Sequence, residues 1–429
     1  MARRGAGVSG SRLGLDLTPL RVSDQYRRLY VAGFFSALGG QATYVTVAFQ
    51  LKQLTGSPLA VGVLGLIDAV PLLFFGLYGG VLADRFDRRR LIVAMEFVLL
   101  LTTAVLAVNA MMSHPATWLL YVNDAFIVAA GSIQTPSLTA LNQRFVAHDL
   151  QRAASALSSV RMTTASIIGP ALGGLAVVAL GPKWVYVTTT IIYVLSLTLL
   201  VSLKSVASEA SSTHSQWRSL MDALGYARSR SDIVGTYAID LLAMALAYPV
   251  LMMPFVAQRF HETYALSILY CGLPVGALVA SLASGWTKRV RRYGRTIILA
   301  ATLWGVGVAI FGYSSALVVV FAGLVIAGGA DAVSAIFRQA LWNESIPTDI
   351  RGRMGGIEMI SYALGPTVGQ FRAGAMAAAT SIRFSLTFGG VASAAATSSL
   401  AAALPSLWRF DAATNVHVSL VRAQRARED

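Results

Sequence analysis

Charged residues are scarce in this chain. They make up 13% of its 429 residues, where a soluble domain of ordinary composition carries about 25%. A soluble fold of that length needs more charge to cover its surface, so lipid must solvate most of the exterior. Cysteine is nearly absent: the single one, Cys271, lies in an apolar run. That excludes an intrachain disulfide and a cysteine metal site. The five histidines (His114, His148, His214, His261 and His417) fall in loops or tails, too scattered for a metal centre. Acidic residues are few, 20 against 34 basic ones. No phosphate-binding loop, nucleotide cassette or nucleophile elbow occurs. The chain therefore reads as no enzyme, no cofactor is expected, and any work it does must draw on an ion gradient.

What is present is hydrophobicity in long runs. Apolar residues make up 55% of the chain and mean hydropathy is +0.63. A spanning helix needs about 20 mainly apolar residues. Twelve runs qualify, near 29–51, 59–83, 91–112, 117–141, 154–180, 184–203, 233–257, 265–287, 296–313, 316–340, 354–379 and 384–404. The net charge of +14 could suggest nucleic acid, but its placement argues otherwise. Most Lys and Arg residues fall in the N-terminal tail, the even-numbered loops and the C-terminal tail. The opposite face holds only Lys52, Lys183, Arg259, Arg372 and Arg383. By the positive-inside rule both termini are cytoplasmic, and the charge meets anionic lipid headgroups, not nucleic acid. The expected organisation is a cytoplasmic tail 1–28 with no signal peptide, a six-helix bundle 29–203, a soluble cytoplasmic linker 204–232, a second bundle 233–404 and a cytoplasmic tail 405–429.

The halves repeat each other. Gly169-Pro170-Ala171-Leu172-Gly173-Gly174 in the fifth run answers Gly365-Pro366-Thr367-Val368-Gly369-Gln370 in the eleventh. A loop precedes each, His148–Arg152 in one and Thr348–Arg353 in the other. Glycines let helices approach closely, and a proline bends its helix. After the second run comes Gly80-Val81-Leu82-Ala83-Asp84-Arg85-Phe86-Asp87-Arg88-Arg89-Arg90. This resembles the loop 2–3 signature of the major facilitator superfamily, with Asp87 where a second glycine is usual. The fifth-run motif is similar to the helix 5 signature of antiporters in that superfamily, with Ala165 in place of its leading glycine. Leu54-Thr55-Gly56-Ser57-Pro58 and Pro347–Arg353 add a resemblance to the branch of enterobactin exporters and related efflux proteins. The resemblance implies an all-α membrane protein of the major facilitator fold, twelve transmembrane helices in two pseudo-symmetric six-helix bundles. It also implies a conformational gate at Gly80, Asp84, Arg85, Arg89 and Arg90, in which Asp84 faces the start of helix 11 near Gly352–Gly356. Gly169, Pro170, Gly173 and Gly174 would pack tightly enough between the halves to seal a site, and Gly365, Pro366 and Gly369 are the matching motif of the second half.

Ionisable groups within apolar runs are costly and each needs a reason. Asp68 lies about 13 Å into the second helix at the helical rise. Asp124 is on the fourth, Asp240 on the seventh, and Asp331 and Arg338 on the tenth. The resemblance implies that helices 1, 4, 7 and 10 line a central cavity, which makes these five candidates for proton coupling or cavity lining. Asp331 and Arg338 share a helix face, and their seven-residue spacing reads as too long for a direct pair. Arg161 and Glu358 read as interfacial snorkelling residues, and Glu96 as structural. Phe34, Phe35, Tyr44, Tyr237, Met244, Tyr248, Met252 and Met253 suit a bulky amphipathic substrate. The implied function is proton-coupled export of a drug-like or siderophore-like small molecule by a monomer in a bacterial inner membrane. An importer, or a sensor or scaffold of the same fold, is the alternative.

Overall fold

The computed structural model describes residues 15–204 and 216–428. Twelve long helices carry the fold: α1 Asp24–Thr55, α2 Pro58–Arg85, α3 Arg88–Met111, α4 Thr117–Arg144, α5 Gln151–Leu180, α6 Pro182–Val201, α7 Ser231–Ala247, α8 Ala265–Leu282, α9 Tyr293–Tyr313, α10 Leu317–Ser345, α11 Thr348–Ala379 and α12 Ile382–Ala403. Among the described residues there is no strand. Among the described residues nine spans are long and apolar enough to cross a membrane, the one containing α7 being Ser231–Phe260, taken through the break that follows α7. α1, α4 and α11 fall short because they carry polar residues, which they turn inward: Thr43, Thr46 and Gln50, Asn123, Asp124 and Gln134, and Thr367 and Gln370 are all buried.

Local chemistry sets the helix ends. α1 stops at Gly56, whose φ of 62° lies in the left-handed region, with its N–H bonded to Lys52 O. Ser57 then caps α2, its hydroxyl accepting from Ala60 N, and Pro58 opens the first turn. Asp87 caps α3 by accepting from Arg90 N at 2.9 Å. The residue that departs from the usual loop 2–3 glycine thus starts the next helix. α7 ends at Tyr248, which is held extended before Pro249. The chain continues as a 3₁₀ turn Val250–Met252 and a short helix Met253–Ala257. The seventh run is therefore broken, not the continuous 233–257 span expected. The Thr348–Arg353 segment, expected as a loop, is the first turn and a half of α11. Of the expected linker 204–232, residues 205–215 lie outside the described residues and Gln216–Ser229 is a helix. The C-terminal segment is ordered too. Pro405–Trp408 and Val416–Glu428 are helical, with Leu407, Phe410, Val418 and Val421 buried against the second half.

The helix pairings repeat six helices on. In the first half α1 packs on α5 and α6, α2 on α4, and α3 on α4 and α6. In the second, α7 packs on α11 and α12, α8 on α10, and α9 on α10 and α12. Between halves, α2 meets α11 and α5 meets α8, which is the same relation again. These cross contacts cluster toward the face that bears the α1–α2 turn. There a Cβ on Gly62 would lie 2.8 Å from Gly374 Cα, so α2 and α11 cross backbone to backbone. Lys52 Nζ donates to Pro254 O at 2.8 Å, and Gln370 Nε2 donates to Tyr44 Oη at 2.8 Å. One apolar cluster joins Val45, Leu51 and Leu64 of the first half to Met252, Met253 and Leu269 of the second. The α1–α2 face is closed. At the opposite face, which bears the start of α1 and the end of α12, the surroundings of Gly80, Asp84, Gly352, Arg353, Gly355 and Gly356 lie outside the description. So does the expected gate contact.

Candidate functional site

Behind the closed face lies a cavity of about 420 Å³ between the halves. It is within the usual size range of a drug-sized ligand site. α1 contributes Gln41 and Tyr44, and α5 contributes Ser166 and Pro170. The break after α7 turns Tyr248, Val250 and Met253 into the space, as expected where a spanning helix is interrupted at a binding site. α8, α9 and α10 supply Tyr270, Trp304 and Asp331. Tyr248 and Trp304 are stacked at 6.3 Å between ring centroids. Tyr270 Oη and Trp304 Nε1 have no partner among the described residues.

The charged groups form a chain leading from the cavity toward the tail-bearing face. Asp331 has a side chain 40% exposed, which opens it to the cavity. Arg338 is 2% exposed, forms an ion pair with buried Asp240 across α7 and α10, and lies 5.4 Å from the Tyr362 ring centroid. Ser361 Oγ adds a long contact to Asp240 at 3.5 Å. Arg338 Nη2 also reaches Asp331 Oδ1 at 4.0 Å. That corrects the expectation that seven residues are too many. Helical side chains lean toward the N-terminus, and the long arginine stem spans the remaining turn.

Of the five candidate ionisable residues, Asp331 alone among the described residues lines the cavity. Asp240 and Arg338, expected to line it, are instead closed on each other. Asp68 and Asp124 lie apart from this group, both buried where α2 packs on α4. Asp124, expected in the cavity, is not among the residues that line it.

The loop 2–3 residues are placed in part. Arg85 and Arg90 are exposed, and Arg89 donates to the Val201 carbonyl at the end of α6. The glycine motifs pack within each half. A Cβ on Gly173 would meet Ala42 Cα of α1 at 2.8 Å, Gly169 sits on Gln41, and Gly365 and Gly369 sit on Met244 of α7. Gly174 faces Ser267 of α8, across the halves. Pro170 lines the cavity, while Pro366 lies inside α11. Arg161 does not snorkel. It is 7% exposed, 5.7 Å from the Tyr30 ring centroid, and its Nε and Nη1 have no partner among the described residues. Glu96 is fully buried and accepts from Ser36 and Gln134. Phe34 and Phe35 pack on each other, and Tyr237 stacks on Trp342. Sequence reading overlooked Trp304 and Tyr270. A tryptophan in mid-helix, far from the membrane interface where that residue usually sits, was the available signal.

Known proteins resemble the chain in sequence or in fold. The enterobactin exporter of Citrobacter koseri is 27% identical over 371 residues, covering 85% of this chain and 88% of that one. The enterobactin exporters of Shigella boydii and Escherichia coli are each 26% identical with the same coverage. Among solved structures, a nucleoside transporter superposes with a TM-score of 0.74 at 12% identity, covering 90% of this chain and 100% of the other. A D-xylose–proton symporter gives 0.69 at 13%, covering 90% and 97%. At such identities the solved structures speak for the fold alone. The profile of the transmembrane secretion effectors matches residues 15–425. With paired six-helix halves and a cavity between them, this chain belongs to the transmembrane secretion effector family of major facilitator transporters.

Proposed function

We propose that the chain exports a drug-like or siderophore-like small molecule in exchange for protons, as a monomer with both termini in the cytoplasm. As a member of its family it is a transporter of a small molecule, multi-pass in a bacterial inner membrane. Export is supported by the secretion family and by relatives named as exporters. The tail-bearing face carries most of the basic residues, so it meets the anionic cytoplasmic leaflet. The closed α1–α2 face is then periplasmic.

One observation carries the coupling: a carboxylate, Asp331, stands in the cavity beside a buried Asp240–Arg338 pair. In this reading Asp331 takes a proton when the cavity faces the periplasm and gives it up when the cavity faces the cytoplasm. To open the periplasmic side, the Tyr44–Gln370 and Lys52–Pro254 hydrogen bonds and the Gly62–Gly374 crossing must separate. Neutral hydrogen bonds contribute about 0.5–1.5 kcal/mol each net, so such a seal can alternate. Asp68 and Asp124 hold a second proton site in the first half, and the loop 2–3 basic cluster with Asp84 governs the cytoplasmic side.

Efflux of fluorescent dyes and of enterobactin from an efflux-deficient strain, with and without a protonophore, tests this. Protonophore-sensitive loss of cargo from expressing cells is the expected outcome. Equal retention in expressing and empty cells across a broad panel would sink it. Net uptake would reverse the direction.

A further inference from the structure

The cavity is chemically one-sided. Its lining among the described residues holds Tyr44, Tyr248, Tyr270 and Trp304, one carboxylate at Asp331, and no lysine, arginine or histidine. The four rings come from α1, the α7 break, α8 and α9, so they surround the space and do not share one wall. The nearest guanidinium, Arg338, is 2% exposed and already engaged by Asp240. Ionised together, Asp240, Asp331 and Arg338 leave one negative charge uncompensated, and the exposed member is Asp331. Aromatic faces are negative and attract a cation within about 6 Å of the ring centroid, most strongly where water is excluded. An anion placed there meets the Asp331 carboxylate, with no cationic side chain in the described lining to offset it.

We infer that the cavity binds an organic cation with an apolar or aromatic body, its charge seated on Asp331 within the ring of Tyr44, Tyr248, Tyr270 and Trp304. This deepens the exporter reading by naming the class of cargo for the same site. Cargo and proton then compete for one carboxylate. Arrival of a monovalent cation releases the proton from Asp331 to solvent, and departure of the cation restores it, so charge in the cavity balances at each step. The groups facing Asp331 are Arg338 on its own helix, Asp240 and Tyr248 of α7, and Tyr362 of α11. Trp304 and Tyr270 complete the wall around it. Arg338 stays with Asp240 and holds that charge out of the competition.

The test uses tetraphenylphosphonium and tetraphenylborate, which share a shape and differ in the sign of the charge, with enterobactin as a third probe. Saturable, displaceable binding to the purified full-length protein in lipid nanodiscs is measured with no gradient present. Tetraphenylphosphonium should bind, more weakly as the medium is acidified, and tetraphenylborate should show no saturable component. Asp331→Asn should weaken the cation by about tenfold or more, the loss of one close charge contact in a water-poor site. Asp331→Glu should recover most of it, which separates charge from misfolding. Trp304→Leu should weaken it and Trp304→Phe should not. Tetraphenylborate or enterobactin binding as well as the phosphonium, or an Asp331→Asn protein with unchanged affinity, would overturn the inference. Because no gradient is present, failure here leaves protonophore-sensitive export standing, and cation binding without export would sink the exporter reading alone.

Discussion

Replacing Arg338 by glutamine removes the only basic group that the described residues place against Asp240 and Asp331. The ion pair is buried, with side chains 2% and 5% exposed. Two charges about 4 Å apart attract by roughly 4 kcal/mol at an effective dielectric of 20. Removing one member of such a pair costs about 3–5 kcal/mol, because the other charge is left buried and alone. Asp240→Asn should cost a similar amount by stranding the guanidinium, although Asp331 at 4.0 Å softens that loss. The double variant strands neither, and replacing a whole buried pair by neutral groups is commonly neutral or better. Unfolding free energies in mild detergent should therefore show each single variant several kcal/mol below the parent and the double within about 1–2 kcal/mol of it, a coupling of about 3 kcal/mol or more. If Arg338→Gln lost less than about 1 kcal/mol, or if the double variant simply summed the singles, the pair would not be the buried, closed unit described.

Other consequences can be checked separately. Gly62→Leu forces bulk into the crossing with Gly374, where even a Cβ comes within 2.8 Å of the opposing Cα. It should pry open the α1–α2 face, read as increased maleimide labelling of a cysteine introduced at Lys52 in a chain with Cys271 replaced. Asp87→Ala removes the cap of α3 and should destabilise by about 1 kcal/mol, while Asp87→Ser should cost much less. His417, on the C-terminal helix, has its pKa lowered by desolvation first and then by Arg230, with Asp232 opposing. The folded state thus favours neutral histidine. The contribution is present above the unfolded pKa and is lost as pH falls through it toward the lower folded value. Hydrogen-exchange protection factors in Val416–Glu428, corrected for the base-catalysed intrinsic rate, should therefore fall on moving from about pH 7.5 to about pH 5.5, and His417→Gln should flatten that dependence.

Much of this architecture is written in one-dimensional signals. Long apolar runs locate the helices, and basic loops mark one face, because lipid tolerates little else. The repeated Gly-Pro motifs announce two halves, and the helix pairings repeat with them. What the sequence hides is pairing between helices. Asp240 and Arg338 are 98 positions apart by number, and nothing in either neighbourhood says that they close on each other. Asp68 and Asp124 are likewise joined only by the α2–α4 packing. The reach of Arg338 to Asp331 depends on side-chain direction, which spacing alone does not give. The α7 break was legible in Tyr248-Pro249, since the residue before proline resists the helical region, yet hydropathy runs straight through it. Arg161 looked interfacial by position and is buried because Gly33 leaves room for its guanidinium against α1.

The claim beneath the rest is that a proton and the cargo take turns on Asp331 in the cavity between the halves. Proteoliposomes with an acidic interior, the membrane potential clamped and labelled tetraphenylphosphonium outside, address it directly. The parent protein should concentrate the probe inside as protons leave, a protonophore should abolish the accumulation, and Asp331→Asn should show none. Accumulation that ignores the pH gradient, or that survives in Asp331→Asn, would contradict it.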